Sequence, residues 1–207
     1  MKAAGGATPM RLDLYQLAHT LKDKLPFIWD VIEKVNEFLF VIRYGKNVKN
    51  IAITCVPYEY ELKELRIVET NRIVEFFKKQ PEEAYTFFHP HGFDAASIKR
   101  LQSNRAFLAY VLLENNHIVG YLFLRGFFTG KCFRGKMVDY QNRGRGLAKL
   151  LGMIANEIAY NIGLRMFATV SPENIASFAS TKAVNEIKII KQMPNGDYLI
   201  EELPKND

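Results

Sequence analysis

The chain has 207 residues, 48% of them hydrophobic and 24% charged, and a formal net charge of +6. This composition is typical of one globular domain with a sizeable core. No stretch approaches the ~20 apolar residues that a membrane span requires, and residues 1–14 lack the apolar run of a secretory signal. We therefore expect a cytoplasmic protein without a membrane partner.

The positive charge is spread along the chain, and no run of five basic residues occurs. Because a nucleic-acid-binding face needs clustered Lys and Arg, we expect no nucleic-acid partner, and the excess charge also suits a small polyanion. The two cysteines, Cys55 and Cys132, lie in apolar contexts without a C-x-x-C pair. They are predicted to be reduced thiols without a catalytic role.

Residues 1–57 form a predicted extension of helices and one strand. Residues 1–9 are typical of a loose end, and the leucines within residues 12–21 predict a short helix. Apolar residues recur at spacings of three and four over residues 28–42, which predicts an amphipathic helix. Residues 51–56 are β-rich and predict a strand. The apolar stripe of the long helix must be buried, against the rest of the chain or against a second subunit.

Residues 58–207 predict a mixed α/β domain of the α+β type. A strand over residues 58–68 comes first, followed by two short helices that begin near Thr70 and Asp94. A meander of three strands is predicted over residues 106–113, 117–128 and 132–140. A helix, a strand, a second helix and a hairpin complete the domain, over residues 147–162, 165–170, 174–183, 186–192 and 197–203.

The turn between the third meander strand and the long helix is predicted to bind an anion. It reads Arg143-Gly144-Arg145-Gly146-Leu147-Ala148. Main-chain N–H groups at the start of a helix have no intrahelical partner, and the helix dipole adds partial positive charge there. Glycines let the main chain approach a phosphate closely, and the two arginines add formal charge. A diphosphate is therefore the expected ligand.

This segment resembles the coenzyme-binding signature [QR]-x-x-G-x-[GA] of the GNAT acetyltransferases. Arg143, Gly146 and Ala148 match the signature in one frame. A second frame, beginning at Gln141, also fits, but the first frame places Val138 five residues upstream, where the family's strand contacts the pantetheine arm. The segment lacks the third glycine of G-x-G-x-x-G and the Gly-Lys-Ser/Thr of a P-loop, which argues against those nucleotide sites.

The resemblance implies a fold, an activity and a set of binding residues. The implied fold is the GNAT fold, a mixed and mostly antiparallel sheet flanked by helices, here with an N-terminal helical extension. The implied activity is N-acetyl transfer from acetyl-CoA to the amine of a small molecule, with an amino sugar or a sugar nucleotide as candidate acceptors and a monomer or a homodimer as the assembly. The implied coenzyme-binding residues are Met137, Val138, Arg143, Gly144, Arg145, Gly146, Leu147, Ala148, Asn174 and Ser177.

The chain departs from the family at the residue that protonates the leaving thiolate. Many relatives carry a tyrosine seven residues after the asparagine that Asn174 matches, and Thr181 stands there instead. Threonine is a poor acid, although Thr181 could orient a water that serves as the proton donor. Tyr140, at the end of the third meander strand, is a further candidate for the base. This departure keeps two alternatives open, which are an acyl-CoA-binding protein without catalysis and an acetyltransferase that acts on a peptide or protein amine.

A second candidate segment, Phe87-Phe88-His89-Pro90-His91, precedes the meander. An imidazole near the acceptor amine could act as a base near pH 7, which makes His89 and His91 catalytic candidates. Phe87 and Phe88 could stack on the acceptor. The alternative is a rigid surface loop with ordinary hydrogen bonds. Two histidines without a third ligand do not predict a metal site.

Overall fold

The computed structural model describes residues 26–205. The helix predicted over residues 12–21 and the loose end over residues 1–9 lie outside this range. The helices are α1 (Pro26–Lys49), α2 (Thr70–Lys78), α3 (Ala95–Ser103), α4 (Leu147–Ile162) and α5 (Ile175–Lys182). The strands are β1 (Tyr60–Glu64), β2 (Phe107–Glu114), β3 (His117–Phe127), β4 (Lys131–Val138), β5 (Arg165–Val170), β6 (Asn185–Gln192) and β7 (Tyr198–Pro204).

The seven strands form one sheet in the order β1-β2-β3-β4-β5-β7-β6. All neighbouring pairs are antiparallel except β4 and β5, which are parallel because α4 crosses over between them. The β2–β3 hairpin turns at Asn115 and Asn116, whose φ angles of 47° and 63° suit the tight turn that matches strand twist. The mixed, mostly antiparallel sheet predicted from the sequence is confirmed.

Helices cover both faces of the sheet, and each face has its own apolar core. On one face, α1 and α4 pack on the sheet through Phe40, Leu151, Ile154 and Ile158, and α5 lies beside α4. On the other face, α2 and α3 pack on β2 and β3 through Ile73, Phe77 and Ile98. The turn between β4 and α4 therefore lies on the α1 side of the sheet, opposite α2 and α3.

The extension packs on the domain through α1. Phe40 is fully buried, and a Cβ on Gly126 would clash with its ring. Asn36 Nδ2 donates to the carbonyl of Gly126 at 3.0 Å, and Asn47 Nδ2 donates to the carbonyl of Ile162 at 3.0 Å. These polar and aromatic contacts join α1 to both the sheet and α4.

The strand predicted over residues 51–56 is wrong. This segment is extended but pairs with no strand among the described residues. Thr54 N and Cys55 N instead donate to Oε2 of Glu157 on α4, at 2.7 Å and 3.3 Å. The apolar side chains of the segment pack against the core, which accounts for its β-rich composition. The carboxylate of Glu157 accepts the main-chain hydrogen bonds that a neighbouring strand would otherwise accept.

The position of α1 predicts the effect of truncating Phe40. Replacing Phe40 with alanine should lower the free energy of unfolding by about 3–5 kcal/mol, because a fully buried ring is lost and a cavity remains. Urea unfolding followed by circular dichroism measures the loss. Phe128→Ala removes a ring that is 40% exposed and should change the stability much less. Equal losses for the two variants would show that α1 is not part of the core.

Candidate active site

The sheet opens where β4 and β5 diverge. The two strands are paired only over Lys131–Arg165, Cys132–Met166 and Phe133–Phe167, although β4 continues to Val138 and β5 to Val170. The remainder of β4 therefore has no hydrogen-bonded neighbour on the β5 side. This split ends at the glycine-rich turn that begins α4.

Two glycines shape the turn. Gly144 and Gly146 have φ angles of 79° and 80°, in the left-handed region that favours glycine. A Cβ built on either residue would meet no atom within 4 Å. The turn thus faces open space, and Gly146 forms the N-cap of α4.

The main-chain N–H groups of this turn are available to a ligand. Within the described part of the chain, no acceptor contacts the N–H groups of residues 144–148, and the first bonded N–H beyond them is that of Lys149, which donates to the carbonyl of Gly146 at 3.0 Å. No side chain caps the helix. A run of unbonded N–H groups at the start of a 16-residue helix has the geometry and the dipole that favour anion binding.

The two arginines of the turn have different environments. The side chain of Arg145 is held by Glu114 at the end of β2, with Nη1–Oε2 and Nη2–Oε1 distances of 2.8 Å and 2.5 Å. This hydrogen bonding lowers the pKa of Glu114. Arg143 is exposed, and its Cζ lies 4.5 Å from the ring centroid of Tyr140. Arg143 can therefore bring its charge to a bound anion, whereas Arg145 braces the turn against β2.

Helix α5 lies beside α4. Three of the predicted site residues lie there, one at its N-cap and two within the helix. Asn174 caps this helix, with its Oδ1 accepting from Ser177 N at 3.0 Å. Thr181 is only 1% exposed, and Arg134 Nη2 lies 3.3 Å from its Oγ1. Asn174 and Ser177 are partly exposed at the start of the helix, while Thr181 is buried behind them.

Sequence reasoning missed a buried cluster of charges in the split. The guanidinium of Arg134 on β4 donates to the carboxylate of Glu202 on β7, with an Nε–Oε1 distance of 2.9 Å. Both side chains are almost fully buried. Lys136 Nζ donates to the carbonyl of Ala148 at 2.8 Å. A sequence signal did exist. Cys132, Arg134, Lys136 and Val138 stand two residues apart along the strand, so the two basic side chains lie on the same inward face as the two apolar ones.

The predicted acceptor segment lies on the opposite face of the sheet. His91 Nδ1 contacts the carbonyl of Gly92 at 2.9 Å, and its Nε2 contacts the hydroxyl of Tyr121 at 2.9 Å. Because a carbonyl only accepts, Nδ1 carries the proton and Nε2 accepts from Tyr121. Burial lowers the pKa of His91, while the hydrogen bond to Gly92 opposes the shift. His91 is thus a neutral imidazole with both ring nitrogens engaged.

The other predicted residues of this face are more exposed. His89 is exposed, and Phe87 is 45% exposed. Phe88 is half-buried and stacks on Phe93 with a centroid distance of 6.3 Å. Tyr140 is 43% exposed, and its main-chain N–H donates to Gln80 Oε1 at 2.9 Å.

The sheet separates the two groups of predicted residues, which approach each other only around the end of β4. Tyr121, the partner of His91, is paired with Met137 on β4, and Val138 follows at the end of that strand. The turn at residues 143–148 and α5 lie on one side of this point, and the aromatic segment lies on the other. A ligand that passes through the split could therefore contact both groups.

Residues 26–205 contain no cluster of three or more His, Cys, Asp or Glu side chains that could hold a metal ion. Over the same range, no helix is long and apolar enough to cross a bilayer. Cys55 and Cys132 are both free thiols.

No protein-family model matches the chain, and no curated protein is significantly similar to it in sequence. Solved structures do match it. The GNAT domain of S. lividans PAT is 17% identical, with a TM-score of 0.58 over 70% of this chain and 90% of that one. RimJ of Mycobacterium smegmatis, in complex with CoA-disulfide, is 18% identical, with a TM-score of 0.58 over 70% and 81%. AAC(6')-Ib, in complex with paromomycin and acetyl-CoA, is 13% identical, with a TM-score of 0.56 over 71% and 94%.

These matches span most of each solved chain and about 70% of this one. At identities of 13–18% they concern the architecture of the sheet and its helices. The chain has the fold of the GNAT acetyltransferases.

Proposed function

We propose that the protein is an acetyl-CoA-dependent N-acetyltransferase that acts on the amine of a small molecule. The observation that carries this proposal is the open turn between β4 and α4, where the main-chain N–H groups of residues 144–148 have no protein acceptor among the described residues. Two of the similar structures contain CoA-disulfide or acetyl-CoA, which supports a coenzyme A ligand for this fold.

In the proposed complex, the N–H groups of residues 144–148 bind the diphosphate, and Arg143 adds a charge-assisted hydrogen bond. Met137 and Val138 offer main-chain groups to the pantetheine arm, because β4 has no strand partner there. Asn174 and Ser177 form the facing wall at the start of α5. Leu147 is 2% exposed and contributes its main-chain N–H while its side chain anchors the helix in the core.

Acetyl-CoA supplies an activated thioester. The acceptor amine attacks the carbonyl carbon, so that a C–N bond forms, the C–S bond breaks, the amine loses a proton and the thiolate gains one. Four residues are candidates for these proton transfers. His89 and Tyr140 are exposed, whereas His91 and Thr181 already hold hydrogen bonds inside the protein. This difference favours His89 for proton transfer beside the acceptor. The ring of Tyr140 lies against Arg143 of the proposed diphosphate site, so Tyr140 is the less favoured of the two. His91 positions the hydroxyl of Tyr121.

An amino sugar is the proposed acceptor class. Aromatic rings stack on the apolar faces of sugars, and Phe87 and Phe88 present such rings beside the exposed His89. The AAC(6')-Ib structure contains paromomycin together with acetyl-CoA, which supports an amino sugar for this fold. A peptide amine is the alternative acceptor. A coenzyme-binding protein without catalysis is the second alternative, because Thr181 replaces the tyrosine of the resemblance.

Removal of the free arginine tests the diphosphate site. Arg143→Ala should weaken binding of coenzyme A by about 10-fold or more, since a hydrogen bond between charged groups contributes about 1.5–3 kcal/mol. Isothermal titration calorimetry measures this change. Arg100→Ala removes an exposed arginine of α3 on the other face and should leave the affinity unchanged. Absence of binding by the folded wild-type protein would contradict the proposal.

Acetyl transfer to a panel of amines tests the acceptor class. The panel contains aminoglycosides, simple amino sugars, peptides with free amines and polyamines, and the product is detected by mass spectrometry. We expect turnover on amino sugars and a loss of at least 10-fold in kcat/KM for His89→Ala. Turnover on peptides alone would show that the acceptor is a peptide amine and not an amino sugar. Binding of coenzyme A without turnover on any amine would favour a coenzyme-binding protein without catalysis.

The proposed groove contains a lysine whose protonation is set by burial. Lys136 Nζ lies between β4 and the first turn of α4, against the carbonyl of Ala148. Burial, reinforced by the nearby charge of Arg134 and opposed by that of Glu202, lowers the pKa of Lys136 from 10.5 to about 7. The folded protein therefore releases this proton at a lower pH than the unfolded chain does.

This shift predicts how stability depends on pH. Between pH ~7 and ~10 the unfolded chain binds more protons at Lys136 than the folded one, so this residue makes the free energy of unfolding rise with pH. Relative to Lys136→Met, the wild type should gain up to about 1.4 kcal/mol per pH unit over this window. Urea unfolding at several pH values measures the slope. Lys149→Met removes an exposed lysine of α4, the helix that Lys136 contacts, and should keep the wild-type slope. Curves that run parallel for the wild type and Lys136→Met would contradict the shift.

A further inference from the structure

Helix α1 docks on the domain through the buried rings of Phe40 and Tyr44 together with several polar side chains, and it leaves a second apolar stripe uncovered by residues 26–205. Besides Asn36 and Asn47, Glu33 faces the domain and forms an ion pair with Arg125 on β3. The apolar side chains that remain exposed are Phe27 (77%), Ile28 (39%), Val31 (45%), Ile32 (46%), Val35 (51%), Phe38 (66%) and Ile42 (67%). An amphipathic helix normally buries its apolar stripe, but this stripe has no partner among residues 26–205. We call these seven residues the α1 seam.

The spacing of the α1 seam is that of a coiled coil. Ile28, Val31, Val35, Phe38 and Ile42 follow one another at intervals of three, four, three and four, which is the pattern of the a and d positions of a heptad repeat. The next two positions of the repeat are Gly45 and Lys49, so the pattern ends there. The seam is therefore a bounded stripe of about 22 Å, given the rise of a helix.

The sequence of the seam is self-complementary about Val35. If two copies pair antiparallel across a two-fold axis at Val35, Ile28 of one copy faces Ile42 of the other, and Val31 lies near the other copy's Phe38. Each copy then contributes the same patch, as a two-fold interface requires. A parallel pair would instead bring Lys46 and Lys49 of the two copies together at one end, and like charges at close range repel. Charge thus favours the antiparallel arrangement.

The exposed area of the seam matches what a stable dimer needs. The exposed fractions of the seven residues amount to several hundred Å² of mostly apolar surface, of which the two phenylalanines supply roughly 200–350 Å². This surface is comparable to the roughly 800 Å² that each partner contributes to an interface of standard size, and it is at least as large as the apolar patches that mark interaction sites on monomers. A shallow groove lined by Val31, Val35 and Phe38 runs along it, which could receive the side chains of a second helix.

We propose that the α1 seam is the interface of a homodimer in which the two α1 helices pair antiparallel across Val35. The N-terminal segment of the same chain is a less complete occupant. The helix predicted from the pattern of residues 12–21 would extend about 15 Å, which is shorter than the seam. We therefore assign the seam to a second copy of the chain. The test below distinguishes this occupant from the N-terminal segment and from a lipid surface.

The test uses the full chain and two matched variants. Val35→Glu places carboxylates of both copies beside the two-fold axis, and Tyr160→Glu places the same charge at an exposed residue of α4 that is 82% accessible and outside the seam. Light scattering coupled to gel filtration, at micromolar protein concentration, gives the mass. We expect a dimer for the wild type and for Tyr160→Glu, and a monomer for Val35→Glu with an unchanged circular dichroism spectrum.

Three results would overturn the proposal. These are a monomeric wild type, a dimer that persists in folded Val35→Glu, and binding of the wild type to anionic vesicles through the seam in place of self-association. If Val35→Glu does not fold, single Ile28→Cys and Ile42→Cys proteins are mixed and oxidised. The antiparallel pair gives a disulfide between the two different variants, and disulfides only between identical variants would contradict it.

Discussion

The candidate site depends on one constraint, which is the loss of pairing between β4 and β5 after three residues. Pairing along the whole of both strands would satisfy the main chain of β4 within the sheet. Because the strands diverge, the main-chain groups of Met137 and Val138 have no strand partner on that side, and the turn that follows is held open. The glycines at positive φ then let the chain enter α4 with its first N–H groups unbonded. The split and the anion site are therefore consequences of the same divergence.

Beside the split lies the most deeply buried ion pair among the described residues. Arg134 and Glu202 form a bidentate contact with side-chain exposures of 3% and 1%. Burying such a pair costs desolvation that the mutual attraction offsets only when the hydrogen bonds are well formed. Here the guanidinium also reaches Thr181, and Asn185 Nδ2 donates to Glu202 at 3.2 Å. These contacts join β4, α5 and the β6–β7 hairpin around the proposed groove, so loss of either charge would leave its partner buried and uncompensated.

The GNAT fold and the open turn support an acetyltransferase more directly than any single side chain does. The phosphate turn and the aromatic segment lie on opposite faces of the sheet, and the end of β4 is the place where they come closest. This arrangement would give the proposed coenzyme and the proposed acceptor separate approaches to the split. The α1 helix lies on the same face of the sheet as the open turn, and its buried Phe40 and exposed apolar seam suit a structural and assembly role.

The sequence by itself determined the features that depend on neighbouring residues. The anion-binding turn was predicted because glycines, arginines and a helix start lie within six residues, and the meander, α4 and the cap at Asn174 follow from local spacing. Tertiary structure decided the features that join distant residues. It engaged Arg145 with Glu114 and left Arg143 exposed, paired Arg134 with Glu202 across 68 positions, and satisfied residues 51–56 with Glu157 where a strand was predicted. It also buried Phe40 and Tyr44 of α1 and left the apolar seam of the same helix exposed. Local patterns specify main-chain conformation, but the partner of a charge and the face that is buried depend on which elements the folded chain brings together.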